Sequence, residues 1–196
     1  MKPFDYFVHL ILSCILIVGA YQFYFFTQKH IWFKTREFKT FLDDKIPFIP
    51  WWSWIYSFLY YPAILAVNLV VENSRQFVMM AFTYILLLVM QMLFFVLIPV
   101  KTPDHWRKHK TEKTNSEKFL LFVQKFDDMT NCFPSMHVSV AMLTALLLYP
   151  AMGAWVMLFP LLIAISCVFT KQHYLIDTPA GALLGWVAHR VYLFMI

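Results

Sequence analysis

Long apolar runs recur along nearly the whole chain, and they restrict its fold more than any other feature. The 196 residues are 61% hydrophobic, 19% aromatic and only 14% charged. A soluble globular domain is nearer half apolar and a quarter charged. A membrane-crossing helix takes roughly 20 apolar residues, and residues 4–26, 51–71 and 77–98 each supply one. The apolar block 135–196 is too long for a single helix. Pro150 with Gly153 predicts one break in it and the stretch 171–179 predicts another, leaving spans at about 135–149, 154–169 and 179–196. The expected fold is therefore all-α: a six-transmembrane-helix bundle with amphipathic interfacial helices, forming one membrane-embedded domain over residues 1–196. The fourth and fifth spans are short, which predicts polar ends sunken below the lipid headgroups. The first span exceeds the apolar core of a signal peptide, about 7–15 residues, and lacks a small-residue cleavage pattern, so it reads as an uncleaved anchor.

The polar connections carry most of the charge. Residues 28–50 place Ile31, Phe38, Phe41 and Leu42 on one helical face, which predicts a segment lying flat at the interface. In the largest connection, 99–133, Thr114 and Glu117 have capping-box spacing, and Phe119, Phe122, Val123 and Phe126 follow at helical spacing. With six spans, one face collects thirteen Lys and Arg and the other three. The positive-inside rule would put the richer face in the cytoplasm. Any anion-binding site gathers cations whichever way it faces, so the count is a biased signal of orientation. Cys14, Cys132 and Cys167 have no metal-ligand spacing and no even-numbered framework, and no role is assigned to them. His9, His30 and His189 stand alone near span ends and read as interfacial. Gly181 and Gly185 have the spacing at which membrane helices pack closely.

Two short motifs lie where polar stretches meet apolar ones. In Pro134-Ser135-Met136-His137, proline favours the first position of a helix, which puts Ser135 and His137 in the opening turn. The free N–H groups and positive dipole end of such a turn attract anions. His137 is placed to give a proton to an oxygen leaving phosphorus. In the second motif, His173 and Asp177 are four apart and become neighbours if the segment is helical. A carboxylate on one imidazole nitrogen fixes the tautomer and frees the other nitrogen as nucleophile or base. The 36 positions between the histidines allow one helix across, a turn at 150–153 and one helix back, at about 1.5 Å per residue. Both histidines then return to one face of the membrane. Lys101, Arg107 and Lys171 lie in connections on that face and are candidate phosphate-binding cations. His105 and His109 have i,i+4 spacing but sit in a basic loop without a third ligand, and read as solvated.

At these residues the chain resembles the type 2 phosphatidic acid phosphatase superfamily, whose three motifs are Lys-x6-Arg-Pro, Pro-Ser-Gly-His and Ser-Arg-x5-His-x3-Asp. Residues 134–137 fit the second motif with Met136 in place of glycine. Ser166, His173 and Asp177 fit the third in register, with Cys167 at the arginine position. The first is eroded: Lys101 is followed by Arg107 one position early, without proline. The resemblance implies a phosphohistidine mechanism without a metal or other cofactor. His173 would attack phosphorus, Asp177 would orient it, His137 would protonate the leaving alcohol, and Ser135 and Lys101 would hold phosphate oxygens. Lys171 or Arg107 would substitute for the lost arginines. The stretch 170–174 is similar to the branch containing inositol phosphorylceramide and sphingomyelin synthases. Family habit places the site on the extracytoplasmic face.

The expected activity is hydrolysis of a phosphomonoester or diphosphate of a membrane lipid. A lipid phosphotransferase using the same residues is the alternative, and a catalytically inactive membrane scaffold or transporter is the third reading. The expected partners are a membrane phospholipid or other lipid phosphate and the bilayer, with no nucleic acid.

Overall fold

The computed structural model describes residues 2–107 and 114–196, and among these it is helical without a strand. The helices are α1 (Pro3–Lys29), α2 (Phe41–Lys45), α3 (Trp52–Phe58), α4 (Tyr60–Ala66), α5 (Ser74–Leu97), α6 (Asn115–Gln124), α7 (Met136–Met152), α8 (Leu158–Phe169) and α9 (Asp177–Met195). Short 3-10 turns stand at Val67–Leu69, Asp104–Arg107 and Ala154–Met157. Among the described residues two helices, α1 and α5, are long and apolar enough to cross a membrane by length and composition. The segment expected as the second span is helical but broken at Leu59 between α3 and α4. At 17 and 12 residues, α7 and α8 reach about 25 and 18 Å, short of a hydrocarbon core of about 30 Å.

Helix boundaries follow local chemistry. Asn73 caps α5 by accepting the Gln76 N–H at 2.9 Å. The capping box at Thr114 forms as its spacing predicts, with Glu117 N–H on the Thr114 hydroxyl at 3.2 Å and the carboxylate returning to Thr114 N–H at 3.0 Å. Pro150 does not break α7. It sits inside the final turn, and the helix ends at Met152 because Gly153 takes φ +79°, a conformation L-residues rarely adopt.

The first connection departs from expectation. Only α2 is helical in it; residues around Arg36 run extended and pair with Val100 through Arg36 N–H to Pro99 and Lys101 N–H to Arg36, both at 2.9 Å. Ile31, Phe41 and Leu42 are exposed, whereas Phe38 turns inward onto Phe133 and packs with Val100 and Tyr174. Satisfying backbone groups against residues 99–101 wins over a continuous amphipathic face. His9 departs too: it is buried and stacked on Phe77 at 4.1 Å rather than interfacial.

The helix pair that builds the site is α7 with α9. A Cβ on Gly181 would meet the Ser135 carbonyl, and one on Gly185 would meet the Ser139 carbonyl. The two glycines therefore let α9 lie backbone to backbone against the start of α7. Ser135 N–H donates to the Asp177 carbonyl at 3.0 Å, joining the two helix starts directly. From the other side α5 offers Gln91, fully buried, whose amide nitrogen donates to the Pro134 carbonyl at 2.6 Å while its oxygen accepts the Ser139 hydroxyl at 3.1 Å. A buried amide is costly unless its groups are bonded, and here it clasps the opening of α7.

Candidate active site

His173 lies in the turn between α8 and α9, not in a helix, so the i,i+4 geometry expected for it and Asp177 arises differently. Asp177 opens α9 and its Oδ2 accepts Tyr174 N–H at 2.9 Å, folding the turn back on itself. That places Oδ2 3.4 Å from His173 Nδ1. The Cys132 carbonyl lies closer to the same nitrogen, at 2.9 Å. A carbonyl and a carboxylate only accept, so Nδ1 carries the proton and Nε2 keeps its lone pair. The tautomer a nucleophile needs is thus set by two acceptors, one of which no motif announces.

The Cys132 carbonyl is itself held in place. Cys132 N–H donates to Val100, and the Asn131 side chain donates to the Tyr24 carbonyl and the Thr27 hydroxyl at 3.1 and 2.9 Å. The His173 turn is clamped by Asp43 of α2, which is buried. Its Oδ1 accepts Leu175 N–H at 2.8 Å, and its Oδ2 accepts both the N–H and the hydroxyl of Thr40 at 2.7 Å. Sequence reasoning missed Asp43, Asn131 and Gln91; a buried carboxylate 132 positions from its partner leaves no local pattern.

His137, in the first turn of α7, faces His173 with ring centroids 6.0 Å apart. The Tyr56 hydroxyl stands 2.6 Å from its Nε2 and 3.0 Å from its Nδ1. Tyr56 was not among the expected site residues; it lies in an aromatic-rich stretch in which one tyrosine does not stand out. Both histidines line a cavity of about 450 Å³ between α1, α3–α4 and α6, walled by Tyr21, Tyr24, Phe119, Phe122 and Phe126. Thr130 lines it too, its hydroxyl buried without a hydrogen-bond partner among the described residues. A second, almost wholly apolar cavity of about 410 Å³ runs between α1, α4 and α5 and shares His137, Tyr24 and Tyr60 with the first.

The residues expected to bind phosphate are placed less simply. Ser135 is fully buried; its hydroxyl accepts Val138 N–H at 3.4 Å as the cap of α7 and lies within hydrogen-bonding reach of the Cys167 thiol. Lys171 is not brought to the cavity: its ammonium donates to the Asp43 carbonyl at 2.5 Å and sits 5.0 Å over the Trp106 ring. Burial there pulls its pKa below the usual lysine value, against the opposing pull of Asp43 and Asp44. Lys101 faces Asp104 at 3.6 Å and Glu37 at 4.0 Å. Arg107 ends the 3-10 turn Asp104–Arg107. Neither Lys101 nor Lys171 lines the histidine cavity. His105 is exposed, as expected for a solvated loop, and His109 lies outside the described residues.

Cys167, to which spacing gave no role, is brought beside the two histidines by the fold. It is fully buried, and its sulfur and one nitrogen of each of His137 and His173 lie within 4.8 Å of one another. Sequence separation concealed this because the three come from two helices and a turn.

Compared with known protein families, residues 27–191 match the PAP2 superfamily. No curated protein and no solved structure matches the chain.

Proposed function

The chain belongs to the PAP2 superfamily, and on that premise we propose that it is an integral membrane lipid phosphatase acting through a phosphohistidine. The observation that carries the reading is His173, proton on Nδ1 and lone pair on Nε2, facing His137 in an apolar-walled cavity. Nε2 attacks phosphorus, forming the P–N bond as the ester P–O bond breaks. His137 gives its proton to the departing alkoxide, and then takes one from the water that attacks the phosphohistidine. The positive charge that develops on His173 is met by Asp177 behind it. Phosphate oxygens find donors in the cavity wall, where the Tyr56 and Thr130 hydroxyls lie. Ser135, Lys101, Lys171 and Arg107 remain as lesser or indirect contributors to phosphate binding.

Six passes are assigned to α1, the α3–α4 segment, α5, α7, α8 and α9. In support, large apolar side chains such as Phe7, Phe23, Phe82, Leu93, Leu161 and Leu183 are exposed along them, as a lipid-facing surface requires. The site is assigned to the extracytoplasmic face, following the family resemblance.

A second reading, phosphotransfer to another lipid alcohol, is favoured by one feature: two apolar cavities meet at His137, room for a donor and an acceptor. Product analysis with a labelled lipid phosphate, with and without diacylglycerol or ceramide, separates the two. Equal release of free phosphate in both conditions supports hydrolysis. Label moving mainly into a new lipid, with little hydrolysis when acceptor is absent, assigns the transferase. A membrane scaffold or transporter would release neither.

A further inference from the structure

The replacement of the family's arginine by Cys167 leaves a thiol, not a cation, beside the two histidines. The three donor atoms lie within 4.8 Å of one another. Tetrahedral zinc coordination, with Zn–N of about 2.0–2.1 Å and Zn–S of about 2.3 Å, needs donors roughly 3.3–3.6 Å apart. Closing that gap takes about an ångström of side-chain movement. The donor chemistry is selective: two imidazoles and a thiolate suit zinc, cobalt or cadmium and disfavour magnesium and calcium.

The surroundings already supply what such a site requires. His173 Nδ1–H is held by the Cys132 carbonyl and Asp177, the outer partners that aim Nε2 at a metal and raise its basicity. A dication at membrane depth must be neutralised. The Cys167 thiolate and the buried Asp177 carboxylate, which has one oxygen without a partner among the described residues, bring two negative charges. His137 turns its nitrogen from the Tyr56 hydroxyl to the metal, and the cavity of about 450 Å³ on which both histidines open admits a fourth ligand such as water.

We infer that His137, Cys167 and His173 form a binding site for a thiophilic divalent cation such as zinc, and that its occupancy excludes phosphoryl transfer. Binding displaces the thiol proton to solvent and places the metal on the Nε2 lone pair. The binding half stands on the geometry alone; the exclusion half rests on the phosphohistidine reading.

The test titrates purified, metal-stripped full-length protein in detergent with cobalt. The expected result is one equivalent bound with a thiolate-to-cobalt charge-transfer band that zinc bleaches. The band is lost in Cys167→Ala and kept in Cys14→Ala and Cys132→Ala, each confirmed folded by gel filtration. His137→Gln keeps the band but weakens binding at least ~10-fold. In parallel, zinc inhibits lipid-phosphate turnover of the wild type while magnesium does not. No band in folded wild type, or a band indifferent to Cys167→Ala, overturns the site whether or not the lipid is turned over. Turnover that rises with zinc overturns the exclusion, and the phosphohistidine reading with it, while leaving the cobalt band as evidence that the metal binds.

Discussion

The half of the site carried by α7–α9 and the half carried by the connections 28–50 and 99–133 hold their side chains by different means. In the first, helix starts do the positioning: Ser135 caps α7, Asp177 opens α9, and the two are joined at 3.0 Å over glycines that admit no side chain. In the second, extended backbone and single buried polar groups do it, as with Asp43, Asn131 and the Cys132 carbonyl. The two histidines expected to be catalytic belong to the first half; of the expected cations, Lys101 lies in the second and Lys171 in the very turn that carries His173. Neither lysine is aimed at the histidines: Lys101 faces acids and Lys171 binds a carbonyl. Helix termini fix a direction for the side chains they carry, whereas a lysine on a loop goes wherever an oxygen accepts it.

Breaking the helical half is expected to have the largest effect. His173→Ala abolishes turnover with fold and membrane insertion retained, because no other imidazole among the described residues stands beside His137 with its Nδ1 proton on a carbonyl and a carboxylate; near-normal activity in the purified variant would falsify the mechanism. Asp177→Asn follows, with a loss of about 10²–10⁴-fold in kcat, since the imidazole survives with its charge unmet. Steady-state kinetics on the two variants side by side checks the order, and equal losses would show that Asp177 does more than orient.

The connection half is tested by Asp43→Ala, which removes the acceptor of Leu175 N–H and both Thr40 groups. A buried donor left unpaired costs about 1–3 kcal/mol, so thermal unfolding in detergent shifts down and turnover falls less than in Asp177→Asn. A variant as inactive as His173→Ala but fully stable would move Asp43 into the chemistry. Chelator treatment in metal-free buffer is expected to leave wild-type turnover intact or higher; loss restored by magnesium would count against a metal-free mechanism. The smallest effect belongs to Lys101→Ala, a surface ion pair worth about 0–1 kcal/mol, with kcat/KM changed by no more than about 3-fold. A hundredfold rise in KM would return Lys101 to the phosphate.

The helical content and the two histidines were legible because they follow from local signals: apolar run length, a proline before a helix, a serine cap, a carboxylate four residues from an imidazole. Even there the reason differed in detail. His173 and Asp177 meet through a turn closed by Tyr174 N–H rather than along a helix face. Pro150 was absorbed into the last turn of α7, where Gly153 alone supplies the stop. The flat helix expected across 28–50 did not form, because the backbone near Arg36 found partners at Pro99 and Lys101 that no periodicity describes.

Sequence alone determined that this chain is helical and apolar, that small residues at 181 and 185 invite a close helix crossing, and that Ser135, His137, His173 and Asp177 stand at polar mouths. Such properties depend on neighbours within a turn or two of the chain. Only the tertiary structure decided which acceptors fix the His173 proton, that Tyr56 and Cys167 join the histidines, and that Lys171 is spent on Asp43. These are contacts between residues far apart in the chain, and hydrogen-bond acceptors on the backbone carry no residue type for a motif to record.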